Sequence, residues 1–231
     1  MTKEKYDGII ERFEKLSSYV RTDLGYNVII NPTFGPLKFD TQNTVVMHLM
    51  IYDVEGHIAH CIKSPFTCLD WQRSDVHVKK KLSEICNIRF LQPNFFFNAR
   101  RSVNEYLEDF EKDHISYRKY EFKRNKPVEK KEFRVMNERD RHEFAYHIMN
   151  FTIRNFLKMY FKENKIFPYE DFFKTFPKRA SQHQELYNRL KTAKETKSFK
   201  MGKDELLEKL KDYLSDFQEQ FSQLFYENSI T

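Results

Sequence analysis

The chain has 231 residues, of which 40% are hydrophobic and 32% are charged, and its net charge is +6. This composition excludes a disordered or fibrous protein and allows one large domain or two small ones. No stretch is apolar over the roughly 18 residues that a membrane helix needs, and the charged N-terminus does not resemble a secretion signal. Three cysteines, an odd number, do not suggest a disulfide framework, so we predict a cytoplasmic protein.

Apolar residues at helical or strand spacing predict a small α/β domain over residues 1–114. Thr2 is placed to cap the first helix, and the segment from Asp53 to Gly56 would form the turn of an antiparallel β-hairpin. The predicted helices cover residues 3–20, about 72–87 and about 94–111. The predicted strands cover residues 26–30, 44–53 and 57–63.

Basic and aromatic residues alternate over residues 115–136, between the two predicted domains. The sequence Asn125-Lys126-Pro127 would turn the chain, so the segment is predicted to form an exposed β-hairpin or a charged linker. Residues 118–134 contain eight Lys/Arg and three Glu. Cations for phosphates and rings for unstacked bases are the composition of a nucleic-acid contact. The same alternation is typical of an ordinary half-buried hairpin, which leaves the role of the lysines open.

The pattern is helical over residues 137–231, which predicts an antiparallel helical bundle and an α+β protein overall. Asn137 occupies an N-cap position, with Asp140 in the first turn of a long helix that ends near Glu163. The three remaining helices are predicted between Pro168 and Pro177, from Ser181 to about Lys197, and after Gly202.

Arg141, His142 and His147, near the start of the long helix, carry the most specific chemical hint in the sequence. Metal-independent RNA cleavage needs a group that transfers protons and a cation that stabilises the charged phosphate. Histidine suits the first task near neutral pH, and arginine suits the second. On one helix, Arg141 and His147 would lie roughly 9 Å apart along the axis and roughly 120° apart around it. Two such helices packed across a two-fold axis would bring the groups together.

An arginine, a polar residue and a later histidine at the start of a helix in a bundle resemble the motif of HEPN ribonucleases. The resemblance covers about residues 137–226. It implies a dimeric endoribonuclease that needs no metal or other cofactor, as in many toxins and antiphage defence proteins. Arg141 would stabilise the phosphate, His147 would transfer protons and His142 would orient the pair. The implied partners are RNA, a second copy of the chain and a regulatory protein, with no membrane involved.

In this hypothesis a basic surface would hold the RNA. The candidate residues of that surface are Lys119, Lys123, Arg124, Lys130, Lys131, Arg134 and Arg154. The alternative hypothesis is a non-catalytic helical module that binds nucleic acid or protein. The module could be attached to a degenerate nucleotidyltransferase-like domain. A Gly-containing turn at Phe34-Gly35 precedes an apolar strand, but that strand lacks the carboxylates that would hold a metal.

A metal site is not predicted in the first domain. His57, His60 and Cys61 lie on one predicted strand, where alternation sends His60 and Cys61 to opposite faces. A zinc site usually takes two close pairs of ligands, and no second pair is present nearby in the sequence. A structural role is therefore predicted for these three residues.

Overall fold

The computed structural model describes residues 2–31, 43–51, 104–161 and 167–229. These residues form two compact units, each assembled from separate segments of the chain. Unit 1 contains the described residues up to residue 51 and residues 115–135. Unit 2 contains residues 104–114 and the described residues from 136 onward. The two units alternate along the sequence, whereas the predicted order was three consecutive segments, 1–114, 115–136 and 137–231.

Several predictions for the first domain lie outside the described residues. They are the strand at 57–63 with its hairpin turn, the helix at about 72–87, the turn at Phe34-Gly35, and the three residues His57, His60 and Cys61. Of the helix predicted at about 94–111, the described part, residues 104–111, is helical.

Unit 1 combines a helix, a short parallel sheet and a hairpin. Its elements are α1 (Lys3–Thr22), β1 (Asn27–Ile30), β2 (Thr44–Met47), β3 (His114–Lys123) and β4 (Lys126–Val135). Helix α1 starts where predicted, because the Thr2 hydroxyl accepts a hydrogen bond from the amide of Lys5. Strands β1 and β2 pair in parallel, with Val28 opposite Val45.

Strands β3 and β4 form a two-stranded sheet, which confirms the hairpin alternative of the prediction. The two turn residues, Arg124 and Asn125, have φ angles of 49° and 62°. Positive φ at both positions is typical of a type I′ turn, whose twist matches that of the strands. The side chain of Asn125 accepts a hydrogen bond from the Lys3 amide (2.9 Å), and the rings of Tyr6 and Phe122 lie 5.2 Å apart. Helix α1 therefore packs against one face of the hairpin near its tip.

Unit 2 is a helical bundle. Its elements are α2 (residues 104–111), α3 (Glu138–Phe161), α4 (Glu170–Thr175), α5 (Pro177–Thr196) and α6 (Lys203–Ser229). The predicted cap of α3 is confirmed, because Asn137 and Asp140 each accept a hydrogen bond from the other's backbone amide. The predicted start of α5 at Ser181 is wrong. Pro177 opens this helix at a position where its missing N–H costs no hydrogen bond.

Contacts between the helices confirm the antiparallel arrangement. Helix α5 runs antiparallel to α3 and to α6, and α2 runs antiparallel to the same two helices. The contacting pairs are Glu143–Lys194 and Tyr146–Tyr187 for α3 and α5, His183–Asp216 and Arg189–Glu205 for α5 and α6, Phe110–Phe144 and Tyr106–Phe151 for α2 and α3, and Glu111–Lys211 and Asn104–Gln218 for α2 and α6. None of the described helices is both long and apolar enough to cross a membrane.

The core of unit 2 is apolar but also contains polar side chains, two of which lie in the middle of α3. The hydroxyls of Thr152 and Tyr213 lie 2.5 Å apart in the interior, so each satisfies the other. Asn155 is 1% exposed, and neither polar atom of its side-chain amide has a hydrogen-bond partner among the described residues. A buried polar group without a partner loses its bonds to water and gains none in return, so Asn155 destabilises the folded state.

We expect Asn155→Leu to raise the free energy of unfolding by about 1 kcal/mol, because leucine has a similar volume and no polar atom to desolvate. Urea denaturation followed by circular dichroism measures the change. The control is Thr152→Val, which leaves the buried Tyr213 hydroxyl unpaired and should lower the free energy of unfolding. A destabilised Asn155→Leu protein would contradict this account of the amide.

Candidate functional site

Arg141 is held in a bidentate ion pair with Asp113. Its Nε and Nη2 atoms donate to the two carboxylate oxygens at 2.7 and 2.8 Å, and Nη2 also donates to the Met136 carbonyl at 3.1 Å. The hydrogen bonds from Arg141 lower the pKa of the Asp113 carboxyl group, and Lys203, at 3.4 Å, contributes further. The donors of Arg141 are therefore engaged with the chain segments on either side of the hairpin.

The hydrogen bonds of His142 indicate a structural role. Its ring is 2% exposed, and Nδ1 lies 2.9 Å from the carbonyl of Glu138. The other nitrogen, Nε2, accepts a hydrogen bond from the amide of Met201 at 3.1 Å. Nδ1 must then carry the proton and donate it, so the imidazole is neutral. Both nitrogens bind backbone groups, and the ring links the first turn of α3 to the residues that precede α6.

His147 lies in an aromatic cluster. The ring centroids of Tyr106, Phe144 and Phe151 lie 5.9, 6.5 and 6.3 Å from its own. Burial lowers the pKa of His147 to about 4, and the positive charges of Arg154 and Lys194 act in the same direction. The imidazole is therefore neutral at pH 7 and too weak a base to accept a proton efficiently there.

The three predicted catalytic residues are not brought together within one chain. Arg141 binds Asp113, His142 binds backbone groups, and His147 packs among rings. A ribonuclease of the predicted type needs the arginine and the histidine to act on one phosphate. Within one chain these separate surroundings keep the arginine and the histidine apart, as their spacing on one helix predicts, so the hypothesis requires a second copy of the chain.

A polar groove of about 420 Å³ lies between α5 and α6. It contains the pair His183 and Asp216, whose Nε2 and Oδ2 atoms lie 2.6 Å apart, and Gln182, which also donates to Asp216. Glu185, Asp212, Arg189 and Lys209 complete its charged lining. Carboxylates and cations are mixed along this groove, so its charge does not favour one class of ligand.

The hairpin has two faces, which the ion pairs across its strands identify. Lys119 pairs with Glu132, and Lys130 lies between Glu121 and Glu132, so these four residues share one side. Because alternate residues of a strand share a side, this outer face can be extended along both strands. It carries Tyr117, Lys119, Glu121, Lys123, Lys126, Val128, Lys130, Glu132 and Arg134. Five cations and two carboxylates give the outer face a charge of +3.

The charges in the middle of the outer face neutralise one another. Glu132 accepts from Lys119 at 2.7 Å and lies 3.5 Å from Lys130, which is also 3.4 Å from Glu121. The hydrogen bonds from Lys119 and from the Tyr117 hydroxyl are the main reasons why the pKa of Glu132 is lowered. Lys119 and Lys130 therefore reach a ligand only in competition with these carboxylates.

A second group of cations lies at the end of the hairpin. Lys123, Arg124 and Lys126, here called the tip cluster, are exposed. Within the part of the chain that the structure describes, no carboxylate forms an ion pair with any of the three. Three positive charges within and beside the two-residue turn create a local potential that attracts polyanions.

The other predicted binding residues lie in different places. Lys131 lies on the opposite face of the hairpin, with its ammonium group 5.3 Å from the Phe133 ring centroid. Arg134 is exposed near the base of the outer face. Arg154 belongs to unit 2, where its guanidinium lies 5.8 Å from the ring centroid of Phe151.

Lys126 was missed by the sequence analysis. The sequence Asn125-Lys126-Pro127 predicts a turn at these residues, whereas the observed turn residues are Arg124 and Asn125 and Lys126 is the first residue of β4. The signal that places Lys126 on the outer face is the two-residue turn, because the turn fixes the pairing register of β3 and β4 and therefore the face on which each lysine lies.

No protein-family model, curated protein or solved structure matches this chain. Within the described ranges, no group of three or more His, Cys, Asp or Glu side chains is arranged to hold a metal ion. The function must therefore be inferred from the local geometry and charge of the two units.

We expect acid to destabilise the protein through His147. In the unfolded chain this histidine binds a proton as the pH falls below about 6.5, whereas in the folded protein it stays neutral down to a pH of about 4. The unfolded state then binds more protons, so the free energy of unfolding should fall by about 3 kcal/mol across this window and level off below it. Urea denaturation of the wild type and of His147→Leu at several pH values measures the difference. An equal loss of stability in both proteins would show that His147 does not titrate in this way.

Proposed function

We propose that this protein binds nucleic acid without cleaving it, and that the binding surface is the outer face of the β-hairpin with the tip cluster at its end. The observation that carries the proposal is the set of exposed cations formed by Lys123, Arg124 and Lys126, with which no carboxylate among the described residues forms an ion pair. A polyanion gains affinity from such a set because each phosphate contact releases condensed counterions.

Two further features support this proposal. Beyond the tip cluster the strands of the outer face carry a balance of +1, because Lys119, Lys130 and Arg134 outnumber Glu121 and Glu132 by one. The hairpin is also held in a defined position within unit 1, because Asn125 binds the backbone of Lys3 and Phe122 packs on Tyr6. A surface that is already ordered loses less conformational entropy when it binds.

The ribonuclease hypothesis is the weaker candidate. It depends on Arg141 and His147 acting together, and both side chains have other contacts within unit 2. The binding proposal needs neither residue and does not require a dimer. The two hypotheses make different predictions for the same samples, since only a ribonuclease shortens the RNA.

We expect Lys123→Gln/Lys126→Gln to weaken binding of an RNA oligonucleotide and to make it less sensitive to salt. Loss of two phosphate contacts should reduce the slope of log affinity against log salt by roughly 1.4, at about 0.7 per contact for a single strand. Fluorescence anisotropy at several salt concentrations gives both quantities. The matched control is Lys131→Gln/Lys15→Gln, which removes two exposed lysines of the same unit away from the outer face. Its slope should equal that of the wild type.

Equal slopes for the tip and control variants, or no binding by the wild type, would refute the proposal. The same mixtures, incubated in EDTA and separated on a gel, test the other candidate. Shortening of the RNA by the wild type but not by His147→Ala would replace the binding proposal with the ribonuclease hypothesis.

We expect Glu132→Gln to strengthen binding, because the neutral side chain no longer competes with phosphate for Lys119 and Lys130. The rise should be about threefold at low salt, with a steeper salt dependence as the two lysines become available. Glu11→Gln is the matched control, because Glu11 also binds a lysine at 2.7 Å, but on α1. Weaker binding by Glu132→Gln would mean that its carboxylate contributes to the interface rather than opposing it.

A further inference from the structure

We infer that the nucleic acid bound by the hairpin is single-stranded, and that Tyr117 is the residue on which a base stacks. This inference rests on the proposed function and adds the class of partner. The feature behind it is an exposed aromatic ring placed on the cationic side of the hairpin, about 20 Å along the strand from Lys123.

Tyr117 has the geometry of a stacking residue. Its side chain is 41% exposed, and its hydroxyl is hydrogen-bonded to the carboxylate of Glu132. A ring anchored at its polar end loses little freedom when a base packs on it. The ammonium group of Lys119 lies 5.6 Å from the ring centroid, within reach of the phosphate that follows a stacked base.

The charge pattern of the outer face favours a single strand over a duplex. In a duplex the bases already stack on one another, so an exposed tyrosine on a flat surface gains no base contact. The phosphates of a duplex are also fixed in position, and those over the middle of the face would meet Glu121 and Glu132. A single strand is flexible enough to place its phosphates at the tip cluster and to turn a base toward Tyr117.

The opposite face provides a matched comparison. There, Lys131 lies 5.3 Å from the ring centroid of Phe133, and the Phe133 side chain is 56% exposed. Among the described side chains of the hairpin, each face therefore carries one exposed ring with a lysine beside it. Only the Tyr117 ring shares its face with Lys123 and Lys126, so only this ring is expected to contact bound nucleic acid.

The test is the affinity of the full chain for four labelled oligomers of about 12 nucleotides: single-stranded RNA, single-stranded DNA and the two corresponding duplexes. Anisotropy titrations compare the wild type with Tyr117→Ala, Tyr117→Phe and Phe133→Ala. Tyr117→Ala should weaken binding of both single strands about tenfold and change duplex binding less than twofold, because one base stack is lost. Its salt dependence should match that of the wild type, because no charge is removed. Tyr117→Phe, which keeps the ring but loses the hydroxyl bonded to Glu132, should weaken single-strand binding much less than Tyr117→Ala does. Phe133→Ala should bind single strands as the wild type does.

The outcomes separate this inference from the proposed function. Wild-type binding that depends on Lys123 and Lys126 but is unchanged by Tyr117→Ala, or is tighter for duplexes, would overturn the inference and leave the binding function in place. If Phe133→Ala instead weakened binding of the single-stranded oligomers, the nucleic acid would lie on the opposite face of the hairpin, and the inference would be overturned too. No binding of any oligomer by the wild type would overturn both. Circular dichroism of each variant confirms the fold, and Tyr117→Phe distinguishes loss of the ring from loss of the hydroxyl.

Discussion

Two nitrogens of Arg141 donate to the two carboxylate oxygens of Asp113, and the backbone carbonyl of Asp113 accepts from the amide of Met136 at 2.9 Å. Asp113 precedes β3 and Met136 follows β4, so these bonds join the two ends of the segment that forms the hairpin. Asp113 has a φ of 57°, which turns the chain between α2 and β3. Removing one partner of a partly buried ion pair with two charge-assisted hydrogen bonds lowers the stability of the folded protein, because the remaining charge loses its partner. The pair therefore reinforces the backbone bond between the two chain segments that enter and leave the hairpin.

The secondary structure follows from local sequence more closely than the site does. The cap at Thr2, the reciprocal cap of Asn137 and Asp140, and the apolar faces of the long helices are local features, and each was predicted. The partner of Arg141 was not predicted, because Asp113 lies 28 residues earlier and spacing within one helix carries no information about it. The start of α5 was misplaced because Ser181 is a good cap in isolation, while Pro177 opens the helix one turn earlier.

The lysines of residues 115–136 show why composition alone does not define a binding surface. In the sequence they are equivalent charges, whereas in the hairpin their face and their neighbours differ. Lys130 and Lys131 are consecutive, yet one joins two carboxylates and the other lies beside a phenylalanine ring. Strand alternation and the two-residue turn cause this difference. Predicting the neighbours of each lysine requires the pairing register of the two strands, and that register depends on where the turn begins.

The hydrogen bond between Lys3 and Asn125 joins residues 122 positions apart, and this separation affects how the protein emerges from the ribosome. At roughly 5–20 residues per second, α1 is synthesised about 6–24 s before the hairpin that covers Tyr6. During that interval Tyr6 lacks its native contact with Phe122 and is available to chaperones or to neighbouring nascent chains. A fragment that ends before residue 115 would keep Tyr6 in that state permanently. Unit 1 therefore cannot be isolated by cutting the chain at a single point, although its residues begin the sequence.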